Sequence, residues 1–403
     1  MSLSKRDIFF SHLAQTSPLS LALEVSRAEG VFIYDTDGKR YFDLNSGISV
    51  SSLGHRHPKV IEAIKKQLEL YMHTMVYGEH IQSPQTEYAD LLFQHLDNSL
   101  DCIYFLNSGT EVIEAAMKLS RRVTGRYEIV ACRNAYHGST QGSESLRSDK
   151  EYSRSFLPLI PGVRHIEFND FDAIDNIGCR TAGVIIEPVQ AEAGVIPPAQ
   201  NYLQAIRQRC DEMQCLLVFD EIQTGFGRTG ALFAHQKFSV LPDLLCLGKA
   251  MGGGLPIGAL VGNKKTINTF SRNPALGHIS TFAGNPVICA GAKAVLELLL
   301  DTDVVKEVEE KGKYLSDIIA SHNIVKEIRR EGMMMAVELE KRKYLKHVVQ
   351  RSFELGALID YFLFNSRSFR LAPPLIYNFE QLREAGDILL EALDFAESQY
   401  SKS

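Results

Sequence analysis

At 403 residues the chain is long enough for two packed lobes, and 45% hydrophobic with 23% charged residues is the composition of an ordinary soluble globular protein. The formal net charge of -6, with no basic stripe, argues against nucleic acid as a partner. Seven cysteines scattered from Cys102 to Cys289 without CxxC spacing argue for free thiols in a reducing compartment, against a disulfide framework and against a zinc site. The opening MSLSKRDIFF has no long apolar core and no run approaches a membrane span, so a cytoplasmic location without membrane contact is expected.

In chain order, Val31-Phe-Ile-Tyr34 and the turn Asp37-Gly38 predict a small N-terminal β element that packs with the C-terminal part of the chain. Pro58 opens a helix over about 59–72, with Val60, Ile61, Ile64 and Leu68 at helical spacing. Just before it, His55 and His57 in Gly54-His-Arg-His-Pro58 look like a metal pair but lack acidic or thiol neighbours, so loop and cap roles are expected. The run Ile103–Leu106 precedes a helix whose face is Val112, Ala115, Ala116, Leu119 and Val123. Further strand-like runs are 129–132, 184–186, 216–219, 244–247 and 257–261. They lack polar alternation, as suits strands covered on both faces of a mostly parallel α/β sheet. Beyond about Leu300, two long amphipathic helices flank Met333–Leu339 and Phe369–Leu375, predicting a smaller α+β lobe. The expected division is a large domain over 49–300 and a small domain built from 1–48 and 301–403.

The segment Leu216-Leu-Val-Phe-Asp220-Glu221 is a buried strand ending in two acids, at the sheet edge where α/β proteins bind ligands. A nucleotide hydrolase would also need a GxxxxGK[ST] loop; none is present, and Gly248-Lys249 is followed by Ala250. Gly225-Phe-Gly227-Arg-Thr-Gly230 matches GxGxxG literally, but Glu221 to Thr224 separate it from the strand's terminal Asp220 and no helical pattern follows. It is a glycine-rich loop.

Lys249 stands between the run 244–248 and Met251-Gly-Gly-Gly254. Alone it would be an ordinary strand-end lysine; desolvated, its amine becomes a nucleophile that attaches to carbonyl groups. Pyridoxal phosphate (PLP) requires such a lysine, an acid for its pyridinium nitrogen and a phosphate cradle. Asp220 qualifies as the acid. Asn107-Ser108-Gly109-Thr110, between a strand and a helix N-terminus, qualifies as the cradle, although Ser108 or Thr110 could equally be a plain helix cap. Tyr136, at the end of another strand, is placed to stack on a flat ring, and His137 beside it is as readily a structural histidine.

In their order, Asn107-Ser-Gly-Thr-Glu111, Tyr136-His-Gly138, Glu187-Pro-Val-Gln190, Asp220-Glu-Ile-Gln-Thr-Gly225 and Lys249 resemble the class III (ornithine, acetylornithine and 4-aminobutyrate type) aminotransferases of PLP fold type I. The resemblance runs from Asp35-Thr-Asp-Gly-Lys-Arg-Tyr-Phe-Asp43 to Arg370-Leu-Ala-Pro-Pro-Leu375. It implies that Lys249 holds PLP covalently, Asp220 pairs its ring nitrogen and Gln223 approaches its 3-hydroxyl oxygen. It further implies that Tyr136 and Ile222 cover the two ring faces, and that Gly109 and Thr110, beside Ser108, hold the phosphate. Ser280 and Thr281 match a pair that reaches the phosphate of the neighbouring subunit, implying a homodimer with shared active sites. Glu187 resembles the glutamate near the substrate side of the cofactor, while Arg370 and Glu192 resemble a substrate-binding pair. Two positions depart from the family: Ser139 replaces an arginine that grips the donor's carboxylate, and Ala191 stands within Gln190-Ala-Glu192. The implied activity moves an amino group from an ω-amino acid or aliphatic amine to a 2-oxo acid such as 2-oxoglutarate. A PLP-dependent decarboxylase or aminomutase of the same fold is the alternative, and a non-catalytic PLP-binding protein is made unattractive by the presence of both Lys249 and Asp220.

Overall fold

The computed structural model describes residues 3–18 and 20–400. The remaining residues, which include the first two of the opening segment and the last three of the predicted small domain, lie outside that description. A seven-stranded sheet forms the centre, in the order Cys102–Leu106, Gly258–Gly262, Leu244–Gly248, Leu216–Asp220, Thr181–Ile186, Glu128–Cys132 and Val163–Ile166. Gly258–Gly262 runs antiparallel to both neighbours, and the pairings from Leu244–Gly248 onward are parallel. Strands 128–132, 181–186, 244–248 and 258–262 are buried along their whole length. That is why their apolar runs show no alternation. Val163–Ile166 was not anticipated: Val-Arg-His-Ile at the sheet's edge is half-exposed and carries no apolar run.

The helix Gly109–Thr124 covers one face of this sheet, burying Val112, Ile113, Ala115, Ala116, Met117, Leu119 and Ser120, and ends at Gly125 in a left-handed C-cap with φ 69°. Val123, expected on the buried face, is 38% exposed in the last turn. The helix behind Pro58 runs to Leu70, but only Val60 and Gln67 are buried on it, and Leu68 faces outward.

Two smaller sheets lie in the terminal parts of the chain. In one, Val25–Glu29, Phe32–Asp35 and Arg40–Asp43 pair with Ala357–Leu358, so the N-terminal β element does join the C-terminal region. The other orders Val325–Glu331, Met334–Leu339, Ser368–Leu371 and Asp360–Tyr361. Three helices, Val308–Ala320, Arg342–Leu355 and Phe379–Ser398, pack around these strands where two were expected. The fold is therefore α/β with a large mixed, mostly parallel sheet and a smaller sheet region. The Gly225–Gly230 segment is a run of turns, as the failed dinucleotide match requires. Its Arg228 is fully buried and donates to the carbonyls of Met333 and Pro373 at 3.0 and 2.6 Å, and to the Ser52 hydroxyl at 3.0 Å. Among the described residues, no helix is long and apolar enough to cross a membrane.

Candidate active site

The parallel strands bring their carboxyl ends to one edge, and the chemistry-bearing residues follow directly from those ends. Strand Leu216–Asp220 delivers two buried acids that part company. The Glu221 carboxylate accepts the N–H groups of Ala234 and His235 at 2.5 and 2.7 Å and lies 2.8 Å from His235 Nδ1. It therefore caps the short helix Ala234–Phe238 and is unavailable to a ligand. Asp220 instead lines a cavity of about 440 Å3. Its Oδ1 accepts from Ile222 N–H at 3.1 Å, and its Oδ2 lies 2.7 Å from His137 Nδ1. Burial works against a charged His137, yet the hydrogen bond and charge of Asp220 leave the imidazole raised above its ordinary value. His137, buried behind Asp220, fixes the orientation of that carboxylate through this contact.

Lys249 closes strand Leu244–Gly248 and lines the same cavity in a left-handed conformation, φ 45°. Such a backbone is strained for a residue with a Cβ, and residues of this kind concentrate at functional sites. The glycines behind it are required: a Cβ on Gly253, φ 59°, would sit 2.6 Å from Val295 Cγ2. Burial lowers the Lys249 pKa. Arg370 adds to this effect, while Glu192, Asp220 and Glu187 oppose it. The amine is thereby biased toward its neutral, nucleophilic form.

Gly109 and Thr110 line the cavity at the start of their helix, where first-turn N–H groups have no intrahelical acceptor. A Cβ on Gly109 would meet Ile222 Cδ1 at 2.9 Å, so glycine leaves the Ile222 side chain its place beside the cavity. Ser108 is the helix N-cap, accepting from Glu111 N–H at 3.4 Å, and is not part of the cavity wall. Thr110 Oγ1 bonds the hydroxyls of Thr140 and Ser143 at 2.7 and 2.6 Å, fixing the opposite rim. Tyr136, Glu187, Ile222 and Gln223 complete the predicted set that lines the cavity. The Tyr136 hydroxyl lies 3.2 Å from Ser139 Oγ. Burial pushes the Glu187 carboxyl up to about 7, and its oxygens accept from the N–H groups of Ala191 and Tyr136. Ala191, the departure noted above, is buried and supplies one of those donors.

Of the pair that the resemblance implies for substrate, Arg370 is 2% exposed. Its Nη2 donates to Glu192 Oε2 at 2.5 Å and to Tyr361 O at 3.3 Å, while its Nε and Nη1 have no partner among the described residues. Arg370 and Glu192 lie outside the cavity lining, although their charges are felt at Lys249. Ser280 and Thr281 do not reach this cavity within the chain. Ser280 Oγ accepts from Asn107 Nδ2 at 2.6 Å and lines a separate cleft of about 730 Å3. The histidine pair also divides. His55 does have an acidic partner, Asp43 at 2.8 Å, because the small sheet folds a residue twelve positions upstream against it. His57 occupies a helix N-cap position. The cavity residue that the sequence leaves undecided is His137, which contacts Asp220; its position next to Tyr136 at a strand end is the available signal.

A family model described as aminotransferase class-III matches residues 14–393. The acetylornithine aminotransferase of Clostridium acetobutylicum is 38% identical over 91% of this chain and 95% of its own length. The putrescine aminotransferase of Pectobacterium atrosepticum is 36% identical over 89% of this chain and 80% of its own. Among solved structures, an ornithine aminotransferase from Toxoplasma gondii superposes with a TM-score of 0.90 at 29% identity, over 97% of this chain and 93% of that one.

Proposed function

The chain belongs to the class III aminotransferase family, and on that premise we propose how its residues divide the work. It is a PLP-dependent aminotransferase that takes its amino group from an ω-amino acid or aliphatic amine and passes it to a 2-oxo acid. The observation that carries the assignment of roles is that Lys249 and Asp220 face one cavity from adjacent strand ends. Bound there, PLP supplies a carbonyl for the incoming amine and a ring that accepts the electron pair left when the substrate's C–H proton departs. Lys249 Nζ, biased to the neutral form, holds the cofactor and then carries the proton off one carbon and back onto another. Asp220, held by His137, keeps the ring nitrogen protonated. Gly109 and Thr110 bind phosphate through backbone N–H groups, Tyr136 and Ile222 confine the ring, and Gln223 bonds its 3-hydroxyl oxygen.

The donor and acceptor differ in charge next to the reacting carbon. Arg370, with two unpartnered donors, takes the carboxylate of 2-oxoglutarate, and Glu192 neutralises it when an amine donor brings none. Ser139 offers no guanidinium to a donor's distal carboxylate, which favours amine donors. The named relatives transfer amino groups, which leaves the decarboxylase or aminomutase reading without support. Absorbance of the holoenzyme after adding putrescine, 4-aminobutyrate or N-acetylornithine tests the reading. The cofactor should pass to its pyridoxamine form without release of carbon dioxide; carbon dioxide release, or rearranged donor, would reject it.

A homodimer with shared sites follows from the matching Ser280-Thr281 pair. It is supported by large apolar side chains that line the second cleft and stand exposed, with Ile81 95%, Leu276 60% and Ile279 49% exposed. We place the large domain at 49–300, the small domain at 1–48 and 301–403, and the enzyme in the cytoplasm. Mixing a Lys249→Ala protein with a Thr281→Ala protein makes heterodimers with one intact site and should restore activity. No restoration after confirmed subunit exchange rejects the shared site.

A further inference from the structure

A buried charge cluster lies beside the cavity and has no part in the roles above. Arg147 is 8% exposed and Glu144 4% exposed. Arg147 Nη1 donates to Glu144 Oε2 at 3.2 Å and its Nε to Asp149 Oδ2 at 3.1 Å, while its Nη2 and Glu144 Oε1 have no partner among the described residues. Burying such a group is a poor route to stability, since apolar side chains of the same volume generally do as well or better. Its position supplies the reason for it. The guanidinium carbon lies 5.8 Å from the ring centre of Tyr136, 4.7 Å from that of Tyr152 and 5.3 Å from that of Phe364. Tyr152 and Phe364 meet edge to face, 6.1 Å apart.

These rings belong to two distant parts of the chain. Tyr136 lines the cofactor cavity, whereas Phe364 sits on the segment that holds Glu192. Phe364 N–H donates to the Glu192 carbonyl at 3.1 Å, and Leu363 N–H donates to Glu192 Oε2 at 3.2 Å, the same oxygen that takes Arg370. One guanidinium thus ties the wall of the cavity to the loop that fixes the counter-ion of Arg370. We infer that Arg147 is a positioning residue: set over the rings of Tyr136 and Phe364, it holds the 363–364 loop so that Glu192 stays on Arg370 while an amine donor reacts. This rests on the proposed exchange of Glu192 for a substrate carboxylate. Glu144 and Asp149 already neutralise Arg147, so it does not itself receive the donor.

The test compares the two half-reactions of the holoenzyme by stopped flow. The donor is whichever of putrescine, 4-aminobutyrate and N-acetylornithine reacts fastest, and the acceptor is 2-oxoglutarate. Arg147→Lys keeps the charge but loses the planar stacking surface. Phe364→Ala leaves every ion pair of the cluster in place. Each should lower kcat/KM of the amine half-reaction about thirtyfold, the size of a desolvated cation–ring contact, and leave the 2-oxoglutarate half-reaction within about twofold. The double variant should be no worse than the worse single one, because both remove the same contact. Equal losses in the two half-reactions, or losses that multiply, overturn the inference. If Arg147→Lys does not fold, Phe364→Ala alone must still separate the two half-reactions. Glu192→Ala distinguishes the two levels of the argument. If it separates them and Phe364→Ala does not, only the role of Arg147 falls. If Glu192→Ala does not separate them, the proposed exchange falls and this inference with it.

Discussion

Removing the Arg370 guanidinium should injure one half of the reaction cycle far more than the other. Arg370 is 2% exposed and has one carboxylate partner, Glu192 at 2.5 Å, with Nε and Nη1 left over. Two parallel N–H donors on one planar group match a carboxylate, so binding 2-oxoglutarate there exchanges one buried charge pair for another. Arg370→Ala removes the pair made with the oxo acid, and breaking a buried charged pair costs about 2–5 kcal/mol, a fall of roughly 30- to 5,000-fold in kcat/KM. The amine half-reaction never uses that pair. Its loss is limited to the consequences of freeing Glu192, which keeps the Leu363 N–H as a partner. Stopped-flow traces of the cofactor's absorbance give each half-reaction separately. Equal losses in both would show that Arg370 serves the fold and does not discriminate between substrates.

Asp220→Asn should retain cofactor but slow both half-reactions by about 3–4 kcal/mol in barrier, the usual size for removing one preorganised electrostatic partner; an unchanged single-turnover rate would move the ring-nitrogen contact elsewhere. Glu221 is not available for that contact, because its oxygens are committed to Ala234 and His235. Glu187 gives a stability prediction. Burial raises its carboxyl from 4.5 to about 7, so folding takes up a proton between those pH values and the wild type loses stability as pH climbs through them. Glutamine carries no charge to desolvate, so Glu187→Gln should stabilise the cofactor-free protein by up to about 3 kcal/mol at pH 8 and hardly at all below pH 4.5. Thermal melts at the two pH values check it, and a gain of the same size at both would remove the charge from the explanation.

The central sheet was readable because its strands are buried on both faces and therefore appear as unbroken apolar runs. Val163–Ile166 escaped for the converse reason: a half-exposed edge strand carrying Arg164 and His165 has no periodic signal. The two-residue strands 357–358 and 360–361 are too short to have any period. Periodicity also marks an apolar face without saying what covers it, and Leu68 and Val123 show the limit, since both are exposed. Asp220 and Lys249 stand out because the first ends a buried strand and the second directly follows one. The partners that tune them come from far along the chain. His137 meets Asp220 across 83 positions and Glu192 meets Arg370 across 178, and no local spacing encodes such contacts. Arg147 was silent in the sequence for the same reason, its third ring arriving from Phe364.

Every role proposed for the cavity depends on Lys249 carrying the cofactor. Borohydride reduction of the purified holoenzyme, followed by proteolysis and mass spectrometry, fixes the cofactor to whichever lysine holds it. A single pyridoxyl-modified peptide containing Lys249, lost in Lys249→Ala, is the expected product. Modification of any other lysine at comparable yield, or an undiminished label in Lys249→Ala, would contradict it.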